Sequence, residues 1–270
     1  MNIIISHDVD HITAWEHLKS LILPKLIARA LIERMTGFIS WPEFGSRIGD
    51  VFRNSLHNIE DLLTFDRERE IPSTFFIAVR RGRSLNYTAR DAEHWIRRIL
   101  ETGFDVGVHG IAFDDRAEIK EEHDFFHERS RIDAFGIRIH YLSLTDRTLD
   151  YLSEAGYRYD SSVFALKEPY RTGHFWEFPL HLMDSEVFHA GSSRQKRTLE
   201  QAQDYTRDRL EQLERRGIRF ASILFHDVYF SAGYRSWKKW YAWLIDWCRQ
   251  KGHSFISYHA AVSELEKSLA

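Results

Sequence analysis

His7, Asp8, Val9 and Asp10 close the first apolar run of the chain, directly after Asn2-Ile3-Ile4-Ile5-Ser6. Two aspartates two residues apart on an extended segment project to the same side. Carboxylates placed in this way repel each other unless a cation or a proton sits between them. An Asp-rich turn closing a strand is the plainer reading of these residues taken alone. Further along, His109, Arg138, His140, Asp160 and His226 each stand at the end of another short apolar stretch. Side chains of these types suit a metal hydrolase. A catalytic zinc takes three ligands from His, Asp or Glu and leaves one position for water, whose pKa it lowers toward about 7. A free carboxylate then serves as base, and a histidine protonates the leaving amine.

The elements that must position these residues alternate along the chain. Strands are expected at residues 2–6, running into the His7–Asp10 motif, at 73–79, 104–108, 136–141 and 219–225, at an extended stretch over Trp176–Leu180, and near Phe255. Helical patterns fall between them. One follows Asp10 and is split by Pro24, another runs from Ile48 to Phe65, and a charged one covers Asp114 to Ser130. Thr88 and Thr145 are read as helix caps, and Thr198 with Gln201 as a capping box for a helix to Arg216. Alternation of this kind argues an α/β fold with a parallel sheet or barrel. In parallel barrels the C-terminal ends of the strands carry the chemistry, and that is where the polar residues fall. No composition break marks a linker. The chain is read as one domain over 1–270, with a helical insertion at about 12–70 after the first strand.

Composition limits the alternatives. Apolar content of 43%, 29% charged residues and a net charge of −3 are ordinary for a globular protein and give no argument for nucleic acid. Eight Trp, eleven Tyr and nineteen Phe fit either a large core or a sugar-stacking cleft. The single cysteine, Cys248, rules out a disulfide within the chain and reads as a buried, inert thiol. The chain opens directly on a strand and holds no apolar stretch of membrane-spanning length, so no leader, no transmembrane segment and a cytoplasmic location are expected. Lys19, Lys25, Arg29 and Arg34 flank the apolar positions of the first helical stretch. Residues 15–35 are therefore read either as helices packed on the body of the protein or as a peripheral membrane contact.

In order along the chain, Ser6-His7-Asp8-Val9-Asp10, Val106-Gly107-Val108-His109, Gly136-Ile137-Arg138, Tyr159-Asp160-Ser161-Ser162 and Ile223-Leu224-Phe225-His226 resemble the five motifs of the polysaccharide deacetylase family. This is the group sharing the chitooligosaccharide deacetylase homology domain, and the resemblance spans roughly residues 3–262. Arg138-Ile139-His140-Tyr141-Leu142 and Phe178-Pro179-Leu180-His181-Leu182-Met183-Asp184 resemble the branch associated with surface-polysaccharide and O-antigen biosynthesis. The resemblance implies a distorted (β/α)7 barrel and hydrolysis of an N-acetyl or N-formyl amino sugar, nucleotide-linked or lipid-linked. It further implies a divalent metal, zinc above others, with Asp10 and His109 as ligands. By position Asp8 is the general base, Arg138 its partner and His226 the general acid. Substrate contacts are assigned to His7, Tyr141, Asp160 and Trp176, with a solvated turn histidine as the plainer reading of His7 and of His11.

The match is incomplete at two places. Phe113 stands where the family's second ligand histidine is usual, so the third ligand is assigned to His140, with Asp114 as the next substitute and a histidine bonded in the barrel wall as the plainer reading of His140. Val163-Phe164 stands in place of an Asp-Trp pair, which leaves Asp160 or Asp227 to partner the acid histidine. His123 and His127 have zincin spacing, but Asp124 follows the first, and with Glu122 and Glu128 they read as a charged solvent face. Two other functions compete: a barrel that has lost catalysis and binds sugar or aids assembly, and a metal phosphoesterase, which needs more ligands than the chain offers.

Overall fold

The structure, a computed structural model, describes residues 1–18 and 20–269; Lys19, among the basic residues named above, lies outside them. Its ten strands are β1 (Asn2–Val9), β2 (Thr74–Ile77), β3 (Asp105–Gly110), β4 (Gly136–Ile139), β5 (Tyr159–Asp160), β6 (Tyr170–Thr172), β7 (Phe175–Glu177), β8 (Leu180–Met183), β9 (Phe220–Leu224) and β10 (Ser254–Phe255). Seven of them form a parallel wall in the order β5-β4-β3-β2-β1-β9-β8. β7 pairs with β5 at one edge, with β6 antiparallel beyond it. A single bridge between Phe164 and Leu180 ties the segment after β5 to β8, so the sheet curls into a distorted barrel that closes through one contact rather than a full ladder.

Among the described residues ten α-helices accompany the strands: α1 (Ile22–Met35), α2 (Trp41–Phe52), α3 (Ile59–Glu68), α4 (Ala89–Glu101), α5 (Arg116–Ser130), α6 (Thr148–Ala155), α7 (Asp184–His189), α8 (Leu199–Arg215), α9 (Arg235–Gln250) and α10 (Tyr258–Lys267). Thr88 and Thr198 cap α4 and α8 through full capping boxes. The helical pattern read over 48–65 divides instead into α2 and α3. Ser40 caps α2 with its own capping box, and the chain leaves the helix after Phe52. Thr145 does not cap α6; its backbone N–H donates to Thr148 Oγ1, and the helix starts there.

Period-2 alternation on β1 decides which residues reach the site. Ile3 and Ile5 pack in the outer cluster against the helices, while Ile4 joins Phe76, Tyr159, Phe178 and Tyr258 inside the barrel. Ser6 and Asp8 follow Ile4 onto the inner face. The interior is crowded enough that β4 begins on glycine: a Cβ on Gly136 would lie 2.1 Å from the Tyr159 ring. Cys248 is buried on α9, and burial pushes its thiol up to about 12.

Candidate metal centre and its cleft

Three side chains meet at the rim of β1, β3 and β4. His109 Nε2 lies 2.9 Å from His140 Nδ1 and 3.2 Å from Asp10 Oδ1, and His140 Nδ1 lies 3.4 Å from the same carboxylate oxygen. The other nitrogen of each ring is committed to a backbone carbonyl: His109 Nδ1–H donates to Arg138 O at 3.1 Å and His140 Nε2–H to Arg83 O at 3.1 Å. A carbonyl only accepts, so both protons of the neutral rings are fixed there. Two bare lone pairs then face each other beside a carboxylate, an arrangement that needs a proton or a metal cation between them. Ligands around a tetrahedral zinc at about 2.0–2.1 Å stand roughly 3.3 Å apart, which is the scale of this triangle, so the donor set fits a divalent metal.

Without a metal the two rings are pushed in opposite directions. Burial lowers the pKa of His109, but the Asp8 charge and the Asp10 hydrogen bond outweigh it and push His109 above its ordinary value. Burial and the charge of His109 drive His140 down to about 4. Burial opposes ionisation of Asp10, yet its bond to His109 and the charges of His140 and His226 hold its carboxyl well below the usual range.

Local backbone strain aims His140 at this point. Tyr141 and Leu142, directly after it, both lie in the left-handed region at φ 60° and 51°, which costs non-glycine residues energy and persists where the surroundings impose it. Phe113 offers no ligand atom. Its ring lies 4.8 Å under the Arg83 guanidinium, whose backbone carbonyl fixes the His140 tautomer. Asp114 is exposed and outside the cluster.

Beside the triangle, Asp8 is buried against Arg138. The guanidinium donates to Asp8 Oδ1 at 3.0 Å, Ser6 Oγ at 2.7 Å, Ser161 O and Oγ at 2.9 Å each, and Tyr258 Oη at 2.9 Å. All five donors of a rigid fork are thereby engaged inside the barrel. Across the cleft, His226 Nδ1 donates to Asp184 Oδ1 at 2.8 Å, and the His226 backbone N–H donates to Asp184 Oδ2 at 2.6 Å. Burial disfavours the charged ring, but Asp184, Asp10 and Asp8 together raise His226 to about 10. Its Nε2 is left facing Asp10 Oδ2 at 3.9 Å. Asp8, Asp10, His109, His140 and His226 line one cleft of about 320 Å³, with Tyr141, Met183 and Tyr229 among its walls.

Five assignments are corrected. Asp184, at the junction of β8 and α7, is the carboxylate partner of His226, in place of Asp160 or Asp227. Asp160 is fully buried and bonds Ser162 N and Oγ next to the buried Glu177, so it cannot contact substrate. Asp227 is buried and accepts from Asn58 N. His7 faces away from Asp8, as alternation on a strand requires, and is neither solvated nor in the cleft; it bonds Phe225 O at 2.8 Å and Asp66 at 2.9 Å in the outer core. Trp176 is buried in the inner core with Tyr159 and Phe178 and stays clear of the cleft. Glu122, read as a solvent-face residue, is fully buried and accepts from the Ile111 and Ala112 N–H groups in the loop after His109. Tyr141 does stand at the cleft mouth, 63% exposed. The signal for Asp184 is present in the sequence, at the end of Leu180-His181-Leu182-Met183, but its pairing with His226 requires β8 and β9 to be neighbours.

No family model and no curated protein matches the sequence. Solved structures do match. A protein from Mycobacterium smegmatis assigned as a polysaccharide deacetylase superposes with a TM-score of 0.67 at 18% identity, over 99% of this chain and 90% of its own. One from Pseudomonas aeruginosa PAO1 with the same assignment gives 0.64 at 14%, over 98% and 90%. Puue allantoinase gives 0.64 at 12%, over 97% and 88%. The fold is therefore the distorted α/β barrel of the polysaccharide deacetylases.

Proposed function

We propose that the protein is a metal-dependent hydrolase that removes an N-acyl group, acetyl or formyl, from an amino sugar during surface-polysaccharide assembly. The observation that carries the reading is the convergence of two imidazole nitrogens and a carboxylate oxygen at 2.9–3.4 Å. Asp10, His109 and His140 would hold the cation, zinc being the best match to two imidazoles and one carboxylate. When bound, such a metal polarises the acyl carbonyl and acidifies a water.

The chain's own residues supply the proton movements. Asp8 is the base that takes the proton of the attacking water, and Arg138 holds its carboxylate in one orientation. His226 is protonated at neutral pH and delivers its Nε2 proton to the leaving amine, while Asp184 fixes the ring and stabilises its charge. Base and acid thus flank the ligand triangle, as hydrolysis of an amide requires. A barrel kept only for sugar binding has no need of a base, an acid with its own carboxylate and three converging ligands. That set argues against the non-catalytic reading, even though Phe113 and Val163 depart from the family pattern.

A lipid-linked sugar is favoured over a nucleotide-linked one by the surface beside the cleft. Trp15, Leu18, Leu21, Ile27, Leu31, Ile32 and Met35 are all exposed. A cavity lined by Ile22, Lys25, Ala28, Arg29 and Ile32 shares Tyr141 with the cleft. Among the described residues no helix is long and apolar enough to cross a membrane, so this face is proposed as a peripheral contact, which suits a cytoplasmic enzyme working at a membrane surface. Acetate or formate release from N-acyl amino sugars presented free, nucleotide-linked and in vesicles tests both parts. Release only from the nucleotide-linked form would contradict the membrane reading.

A further inference from the structure

The loop from β1 to α1 holds a second group of metal-competent side chains, which the reaction above does not use. His11, Glu16 and His17 offer one ligand atom each, all within 4.8 Å of one another. His17 is fully buried, and its Nε2 has no hydrogen-bond partner although Glu16 Oε1 lies 3.0 Å away. His11 Nδ1 is buried and unpartnered as well, and the two rings meet edge to face with centroids 4.6 Å apart. Buried polar nitrogens without partners are costly and uncommon. A Glu16–His17 ion pair accounts for one of these nitrogens and leaves His11 Nδ1 orphaned.

Both flanks of the cluster are already built. The Glu16 carboxylate is held by the N–H groups of Ile12 and Thr13 at 3.2 and 3.0 Å, so its position does not depend on the histidines. Asn86 lies 3.2 Å from His17 Nδ1. Turned about its amide, it accepts the Nδ1 proton and leaves Nε2 bare for a cation, as the outer partners of metal-bound histidines do.

We infer that His11, Glu16 and His17 form a second divalent-metal site, with the two-imidazole, one-carboxylate donor set of zinc, which locks the loop between Asp10 and α1. The inference stands on this cluster alone and does not depend on the proposed reaction.

Zinc stoichiometry and affinity of the full-length chain, measured by equilibrium dialysis with elemental analysis, decide it. The wild type is expected to hold two zinc ions. His11→Gln and Glu16→Gln should each weaken one of the two at least tenfold, and the Asp10→Asn/His109→Gln double variant should keep one. His11 is partly exposed, and circular dichroism of each variant checks that it folds. A wild type holding a single ion that disappears in the Asp10→Asn/His109→Gln protein would overturn the second site and leave the first intact. A single ion lost in His11→Gln but kept in the double variant would uphold the second site and contradict the proposed reaction. No bound zinc would overturn both.

Discussion

His109 Nε2 and His140 Nδ1 point at each other across 2.9 Å with both ring protons committed elsewhere. Two bare lone pairs at that distance repel, so a proton or, as proposed, a metal cation sits between them. Removing either ring should remove the cation. His140→Ala is predicted to weaken zinc at this centre at least tenfold, read by calorimetric titration in a His11→Gln background so that one site is observed alone. An unchanged affinity would exclude His140 as a ligand.

His226 and Asp184 set the alkaline limit. A general acid works while protonated, and the Asp184 carboxylate is the largest influence raising His226 to about 10 against the opposing effect of burial. Asp184→Asn lowers that pKa, so the alkaline limb of the kcat/KM profile should move to lower pH. A limb that stays where the wild type has it would remove Asp184 from the acid's machinery.

Arg138 and Asp8 form a buried ion pair at 3.0 Å. Truncating one partner strands the other charge, a loss of about 3–5 kcal/mol in comparable cases. Arg138→Met is predicted to lower unfolding stability by that order in urea titrations, and the Asp8→Asn/Arg138→Met double variant should recover part of it. Purely additive losses would mean that the two charges are not coupled.

Glu122 gives the fold a pH dependence of its own. Burial raises its carboxyl to about 7, although the Ile111 and Ala112 N–H groups favour the anion. The folded chain therefore binds a proton that the unfolded chain releases near 4.5, and stability falls as pH rises between these values. Glu122→Gln keeps an acceptor without a charge. It should flatten this slope and gain up to about 3 kcal/mol on the wild type above pH 7. A parallel pair of stability curves would show that Glu122 is solvated.

The sequence carried the barrel because its strands end in polar residues and its helices carry their own caps, as at Thr88 and Thr198. Asp8, Asp10, His109, Arg138 and His226 were visible for the same reason: each sits at a strand end, where only the alternation of faces matters. The same alternation puts His7 opposite Asp8 on one strand, a consequence that the assignment of His7 to substrate overlooked. Asp184 was hidden because its role depends on β8 lying beside β9, a pairing between segments some 40 residues apart with no local signature. Trp176 and Glu122 were misplaced because composition does not tell an aromatic in the barrel interior from one in a cleft, or a buried helix face from a wet one. The helical insertion after β1 was legible as helices, but not the division of residues 48–65 into two.

The most direct test of the account is acetate or formate release from N-acyl amino sugars by the zinc-loaded protein, followed through chelation, metal restoration and the Asp8→Asn substitution. The account predicts release that stops with chelator, returns with a divalent metal and falls at least a hundredfold in Asp8→Asn. Release that survives chelation, or that proceeds at the wild-type rate without the Asp8 carboxylate, would contradict it.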